Sequence, residues 1–244
     1  MLLYHSIKEI PKNKDPLRIT VPPMLFEKQI RYLLSSGYKI LPMDAVPDYL
    51  SGRVEITGKE IVLTFDDGFD DNFEAAIGVL SKNRIPATYF LSCDHIGAEE
   101  IFPWCTPQYS YSKPITMEKV LGLISMNMSI GSHTRTHPNL GDISHDRDRL
   151  YEEIAMSKKI LEDKLKVPIK YFAYPFGSNS SYNKTTERIV KESGYKAAFT
   201  NIFGSNKNGD NIFELKRTRI TWDDNLFRFK MKLEGAYDWT DHFR

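Results

Sequence analysis

Two short stretches of this 244-residue chain combine residue types and spacing suited to metal-assisted hydrolysis. Asp66 and Asp67 stand side by side after the apolar run Ile61-Val62-Leu63-Thr64-Phe65 and are followed by Gly68. Adjacent carboxylates at the mouth of a buried strand repel, and each is costly to bury unpaired. A divalent cation on one would relieve this and leave the other free to take a proton. Taken alone, Asp-Asp-Gly is better read as a strand-to-helix turn in which Asp caps the helix and Gly supplies positive φ. His133 and His137 are four residues apart, just after the short apolar run Met128 to Gly131, and Pro138 makes the segment a turn rather than a helix interior. Imidazole suits Zn²⁺ and other first-row metals, although two such histidines alone are as often ordinary turn residues. Together the stretches offer two His and one carboxylate, a ligand set that leaves positions open for water and substrate. This requires both stretches to open on the same rim.

The surrounding pattern supplies such a rim. Strands are expected at Leu2 to Tyr4, Ile61 to Phe65, Ala87 to Leu91, Met128 to Gly131, Lys170 to Tyr174, Lys196 to Phe199 and about Arg217 to Thr221. Helices alternate with them. Met24 to Ser35 carries Phe26, Ile30, Leu33 and Leu34 on one face and stops at Gly37. Phe73, Ile77 and Leu80 mark a second, and Thr116 caps a third whose N3 residue, Lys119, leaves the capping box incomplete. Ser144 to Leu165 is the longest, with Leu150, Ile154, Ser157, Leu161 and Leu165 as its inward stripe. A helix from about Thr185 to Glu192 follows. Ser36-Gly37-Tyr38-Lys39 and Ser193-Gly194-Tyr195-Lys196 repeat the same helix, Gly stop, strand transition. Strands alternating with helices predict an α/β fold with a parallel sheet, whose functional groups belong at the C-terminal strand ends. The stretches Ile10 to Thr20 and Asp94 to Pro114 read as loops, the second as a cap over the site.

Bulk properties narrow the partners. Thirty-three basic residues against 32 acidic ones leave a net charge of +1, so nothing points to nucleic acid or an anionic membrane. Two cysteines, Cys93 and Cys105, are too few for a disulfide framework and read as free thiols. The start, Met1-Leu2-Leu3-Tyr4-His5, lacks the basic and apolar regions of a signal peptide. No apolar run approaches the ~18 residues of a membrane span. The expectation is a soluble, cytoplasmic protein of one domain, residues 1–244.

Thr64-Phe65-Asp66-Asp67-Gly68 resembles the first motif of the polysaccharide deacetylases, the NodB-homology or carbohydrate esterase family 4 enzymes. His133-Thr134-Arg135-Thr136-His137 resembles the second, of form H-[ST]-x-x-H, and Tyr171-Phe172-Ala173-Tyr174-Pro175-Phe176-Gly177 the third. The resemblance runs from about Leu3 to Thr221. It implies a distorted (β/α)7 barrel that removes the N-acetyl group from an amino sugar in a poly- or oligosaccharide. Asp66 would be the general base. Asp67, His133 and His137 would hold a divalent metal, Zn²⁺ first, with Co²⁺ or Ni²⁺ as alternatives. The Phe176 N–H is a candidate oxyanion donor beside Pro175, and Tyr174, Phe176 and Trp104 are candidates to line a sugar groove, or else to pack in the core.

Two departures stand out. The family's third-motif Arg, which orients the base, is Ala173 here, and Arg217 is preferred to Arg219 as its replacement. The family's C-terminal L-x-H motif is absent downstream, and nothing around His242 matches it. Leu2-Leu3-Tyr4-His5 instead resembles the subset of poly-N-acetylglucosamine deacetylases that begins with an M-Y-H segment, which makes His5 the candidate general acid. His95 and His145 carry no motif. Two other readings compete: an amidohydrolase acting on a small or cyclic amide, and a carbohydrate-binding module that has lost catalysis.

Overall fold

The computed structural model describes residues 1–105 and 111–236. Its centre is a seven-stranded, wholly parallel sheet of β1 (Leu2–Tyr4), β2 (Leu63–Phe65), β3 (Thr88–Leu91), β4 (Ser129–Ser132), β5 (Tyr171–Ala173), β6 (Ala197–Phe199) and β7 (Thr218–Arg219). The spatial order is β6-β5-β4-β3-β2-β1-β7. Read around a ring, this is chain order with one seam, between β6 and β7. The segment leading into β7 spans the seam: Leu215 bonds to Ala198 and Thr200 beside β6, while Thr218 donates to the carbonyl of Met1 beside β1. The fold is the expected α/β class, a distorted seven-stranded (β/α) barrel.

Parity along each strand separates two cores, since successive side chains take opposite faces. Val62, Phe90, Tyr171, Ala173, Ala197, Phe199 and Leu215 pack together inside the barrel. Leu2, Tyr4, Leu63, Phe65, Tyr89, Leu91, Ile130 and Phe172 pack outward against the helices. Gly131 belongs to the inner set because a Cβ there would lie 2.4 Å from the Phe90 ring. The same parity turns Thr64 and Asp66 inward.

The helices are α1 (Pro23–Ser35), α2 (Val46–Leu50), α3 (Ile77–Lys82), α4 (Met117–Ser125), α5 (147–165), α6 (Lys184–Glu192) and α7 (Leu226–Leu233). Gly37 follows α1 at φ +75°, and Thr116 caps α4 by accepting from the N–H of Lys119 at 3.3 Å. The longest helix starts later than its apolar stripe suggests. Asp146 accepts from the N–H of Arg149 and fixes the first helical residue at Arg147, so exposed His145 precedes the helix. All five stripe residues of α5 are buried, but the helix widens into a π-type turn over Glu152–Met156. Another such turn, Asn72–Ala76, leads into α3. Four features escaped the sequence pattern: α2, α7, and the two-residue parallel pairings of Ser6–Ile7 with Thr20–Val21 and of Lys39–Ile40 with Glu60–Ile61. Cys93 and Cys105 are buried free thiols. Among the described residues no helix is long and apolar enough to cross a membrane.

Candidate metal centre and active site

Because every pairing in the main sheet is parallel, the residues after each strand gather on one rim. His5 follows β1, Asp66 and Asp67 follow β2, the 133–137 turn follows β4, the 174–177 turn follows β5, and Asn201 stands beyond β6. One ligand atom from each of Asp67, His133 and His137 lies within 4.8 Å of the other two, and all three residues are buried. Asp67 Oδ1 is 3.4 Å from His133 Nε2 and 3.2 Å from His137 Nε2. Asp66 Oδ2 lies 3.9 Å from His133 Nε2.

The donor set fits a cation. His133 Nδ1 sits 2.8 Å from the Ala173 carbonyl, an acceptor only, so Nδ1 carries the proton and the Nε2 lone pair faces Asp67. Three electron-pair donors then converge on one point that only a proton or a metal ion can fill. Burial would raise the Asp67 carboxyl, but His133 and His137 outweigh it and hold Asp67 well below the usual carboxylate range. Burial likewise opposes charge on His133, and Asp66 and Asp67 overcome it.

Several of these residues sit in strained backbone. Asp67 has φ +69°, and Gly68 N–H donates to the Asp66 carbonyl across it at 2.9 Å. Phe176 repeats the arrangement at φ +61°, with Gly177 N–H donating to Pro175 at 2.7 Å. A two-residue return bond around a positive φ is the rare, strained form of the γ-turn. Thr134 and His137 are also left-handed, at φ +67° and +62°. Gly68 is required next to Asp67: it lies at φ +87°, and a Cβ there would come 2.7 Å from the Leu91 side chain.

The turn between the histidines is tied down from both sides. Ser92 donates to the His133 carbonyl, and the N–H groups of Cys93 and Asp94 donate to Thr134 and Arg135. From the π-type turn of α5, buried Glu153 accepts from Arg135 N–H and Thr136 N–H, both at 2.9 Å, and from the Thr136 hydroxyl at 2.6 Å. Glu153 escaped the sequence reading. Its only signal was a carboxylate beside Ile154 on the apolar stripe.

Arg217 enters through the seam and is fully buried. Its guanidinium donates to Asp66 Oδ1 at 2.7 Å and Oδ2 at 2.6 Å, to the Thr200 carbonyl, to Thr64 Oγ1 and to Asn201 Oδ1. All five donors are used. Ala173 faces the same interior, so the small residue where the third motif would carry Arg leaves space that Arg217 reaches from another strand. Asn201, also missed in the sequence, accepts from Arg217 and donates to the Phe176 carbonyl.

The other candidates separate by place. His5 is buried, its Nδ1 has no hydrogen-bond partner among the described residues, and Asn72 donates to its carbonyl. Burial pushes the His5 imidazole down to about 4, against the pull of Asp67 and Asp66. Trp104 stacks on His137 with ring centroids 3.9 Å apart, roofing that ligand, and His95 and Phe102 pack against Trp104. Phe176 is half exposed, its ring 5.0 Å from His137. Its N–H makes no hydrogen bond among the described residues. Pro175 is buried under this turn. Tyr174 is a correction to the groove-lining alternative: strand parity turns it outward, where it stacks on Tyr182 and its hydroxyl donates to Phe213, so it is a packing residue. His242 lies outside the described residues.

Comparison with known proteins agrees with this geometry. The polysaccharide deacetylase family profile matches residues 53–198, more than half of the chain. YxkH of Bacillus subtilis (strain 168), whose name places it among the polysaccharide deacetylases, is 27% identical over 221 residues, 91% of this chain and 71% of its own. A poly-beta-1,6-N-acetyl-D-glucosamine N-deacetylase of Staphylococcus aureus is 23% identical over 195 residues. That match takes in 77% of this chain but only 63% of the relative, under two thirds of its length. Among solved structures, the Streptococcus pyogenes deacetylase PplD in complex with acetate superposes with a TM-score of 0.81 at 26% identity, covering 95% of this chain and 96% of that one. IcaB from Ammonifex degensii shares the fold, with a TM-score of 0.77 at 24% identity and 95% of both chains covered. The profile match and these relatives, joined to a rim that carries all three motifs, show that the chain belongs to the polysaccharide deacetylase family.

Proposed function

We propose that this chain, acting as one catalytic domain, hydrolyses the N-acetyl group of an amino sugar in a poly- or oligosaccharide. The observation that carries the reading is the meeting of Asp67, His133 and His137 beside a second carboxylate, Asp66, gripped by Arg217. Asp67, His133 and His137 would hold a divalent metal, with zinc the first candidate from the mixed N/O donor set. Such an ion supplies Lewis acidity that polarises an acetamide carbonyl and makes water acidic enough to attack near neutral pH.

The chain's own groups divide the rest of the work. Asp66 takes the proton of the attacking water; Arg217 occupies one lone pair on each oxygen and leaves others free. Phe176 N–H donates to the carbonyl oxygen as negative charge builds on it. As the carbon–oxygen bond forms and the carbon–nitrogen bond breaks, the nitrogen must be protonated, because an amine leaves poorly as an anion. His5, with its pKa near 4, is neutral at pH 7. The proton that Asp66 draws from water therefore has to pass to His5 before His5 can hand it to the leaving nitrogen. The products are acetate and a free amine. Arg217 also weighs against the reading as a binding module that has lost catalysis, since Asp66 has an orienting arginine despite Ala173.

The test is acetate release from N-acetylglucosamine oligomers by the metal-loaded protein. Asp66→Asn should keep metal binding, because the ligands are Asp67, His133 and His137, and should lose most turnover. Sugar binding with no hydrolysis of any acetylated substrate would refute the reading.

A further inference from the structure

A second cavity, of about 750 Å³, opens beside the catalytic rim. Phe176 and Asn201, which already border the active site, form one wall. Ser178, Asn179 and Ser180 add hydroxyl and amide groups of the kind that bind sugar hydroxyls. The opposite wall is strongly charged. Arg18, Arg219, Arg228 and Lys232 line it together with Asp223 and Asp224. Among the described lining residues, Arg18, Arg228 and Lys232 share the two carboxylates. Arg18 and Arg228 both reach Asp223, Arg228 at 4.0 Å, while Lys232 pairs with Asp224 at 2.7 Å. The crowding registers on Lys232: burial lowers its ammonium pKa, Arg219 and Arg18 add to the lowering, and Asp224 does not fully offset them. Arg18 and Arg228 are half exposed, so their charge faces the cavity and solvent.

Arg219 lies at the C-terminal end of β7, paired in register with Leu3 of β1. His5 lies two residues beyond Leu3, so the positive wall begins next to the candidate general acid and runs outward. A whole-chain charge of +1 gives no hint of this, because the excess is local.

We propose that this groove is a substrate subsite for an anionic sugar residue, one bearing a carboxylate or a phosphate, adjacent to the N-acetyl sugar that reacts. The proposal rests on the deacetylase reading for the position of the reacting sugar, and it narrows the substrate class from any acetylated glycan to an acidic one. A polymer of amino sugars alone fits the groove poorly. Each turnover would add an ammonium group next to a wall that already has excess positive charge, and the product would be repelled. An acidic neighbour supplies the missing negative charge.

The experiment measures binding by calorimetry and acetate release in parallel, using metal-loaded protein. The carboxylate probe is a tetrasaccharide of alternating glucuronate and N-acetylglucosamine, compared with its methyl ester, which is neutral and nearly the same shape. The phosphate probe is N-acetylglucosamine 1-phosphate, compared with N-acetylglucosamine. In at least one arm the anionic member should bind about five- to tenfold tighter at low salt, and the preference should shrink in 0.5 M NaCl. Arg228→Gln should reduce it and Arg228→Glu should abolish it; Arg228 is exposed enough to leave the fold unchanged. Whichever arm shows the preference identifies the anion. Equal affinities within each pair at low salt overturn the proposal, even if neutral oligomers are deacetylated. An Arg228-dependent preference without hydrolysis of any acetylated sugar leaves the groove standing and refutes the deacetylase reading instead.

Discussion

The Asp66–Arg217 pair offers the sharpest quantitative test of the site. Both residues are fully buried, and the guanidinium spends all five donors on Asp66, Thr64, Thr200 and Asn201. Removing one partner strands a buried charge, which costs about 3–5 kcal/mol. Arg217→Met and Asp66→Asn should each destabilise by about that amount. The double variant buries no charge. It loses hydrogen bonds to Thr200 and Asn201 but strands no ion, so its cost should be about 2–4 kcal/mol, well below the sum of the two singles. The coupling energy should reach at least about 2 kcal/mol. Urea unfolding of the four proteins in excess chelator measures it without the contribution of bound metal. Additivity within about 0.5 kcal/mol would show that the two residues do not depend on each other for burial. The explanation of how a chain with Ala173 orients its base would then be wrong.

Two further outcomes follow from other contacts. Glu153→Gln puts an amide where three donors converge, so the turn between His133 and His137 loosens while the ligands stay. Metal affinity, measured by competition with a chelator, should fall about 10–100-fold, and an unchanged affinity would reduce Glu153 to a packing role. Burial would raise the Glu187 carboxyl, but Lys184, Lys191 and Asn211 overcome this and bring it down to about 2. A depressed carboxylate stabilises the fold above its unfolded value near 4.5, and that contribution disappears as pH falls through 2. Glu187→Gln should therefore cost up to about 1 kcal/mol at pH 7, limited by the exposure of its lysine partners, and nothing near pH 2. Equal stability loss at both pH values would disconnect the effect from ionisation.

Most of the framework was legible because burial writes period-two and period-3.6 patterns into sequence. Six of the seven sheet strands show as apolar runs, and the seventh, at Thr218–Arg219, shows as a shorter one. The candidate metal ligands were legible because two pairs, each readable alone as an ordinary turn, both follow buried strands that open on one rim. What stayed hidden depends on distance in sequence. Glu153 and Asn201 act through bonds to backbone 17 and 25 residues away, and a lone Glu or Asn carries no mark of such a partner. Arg217 could be preferred to Arg219 on its local sequence, but the reason for the choice lies in strand parity at the seam: Arg217 faces into the barrel and Arg219 faces the outer cavity. The second π-type turn was invisible for a related reason. The stripe of α5 reads the same whether the helix between Leu150 and Ser157 is regular or widened by one residue.

The strain at the rim argues that the site is held for chemistry at some expense in stability. Asp67, Thr134, His137 and Phe176 are half of the eight non-glycine residues with positive φ among the described residues, and all four border one ligand cluster. Each such conformation costs on the order of 1–3 kcal/mol and persists only when its surroundings fix it. The fixing contacts can be named. Ile115 N–H holds the Gly68 carbonyl after Asp67, the Thr134 hydroxyl accepts from His137 N–H, and Asn201 holds both ends of the Phe176–Gly177 turn, donating to Phe176 and bonding Gly177 through its own N–H. A barrel of this size gains nothing in packing from bending its backbone at these positions. Relaxing Asp67 or His137 to ordinary dihedrals would swing its side chain away from the point the three ligands share. The backbone at the rim is therefore shaped to bring these three side chains to one point, and the hydrogen bonds of Glu153, Asn201 and Arg217 keep it there.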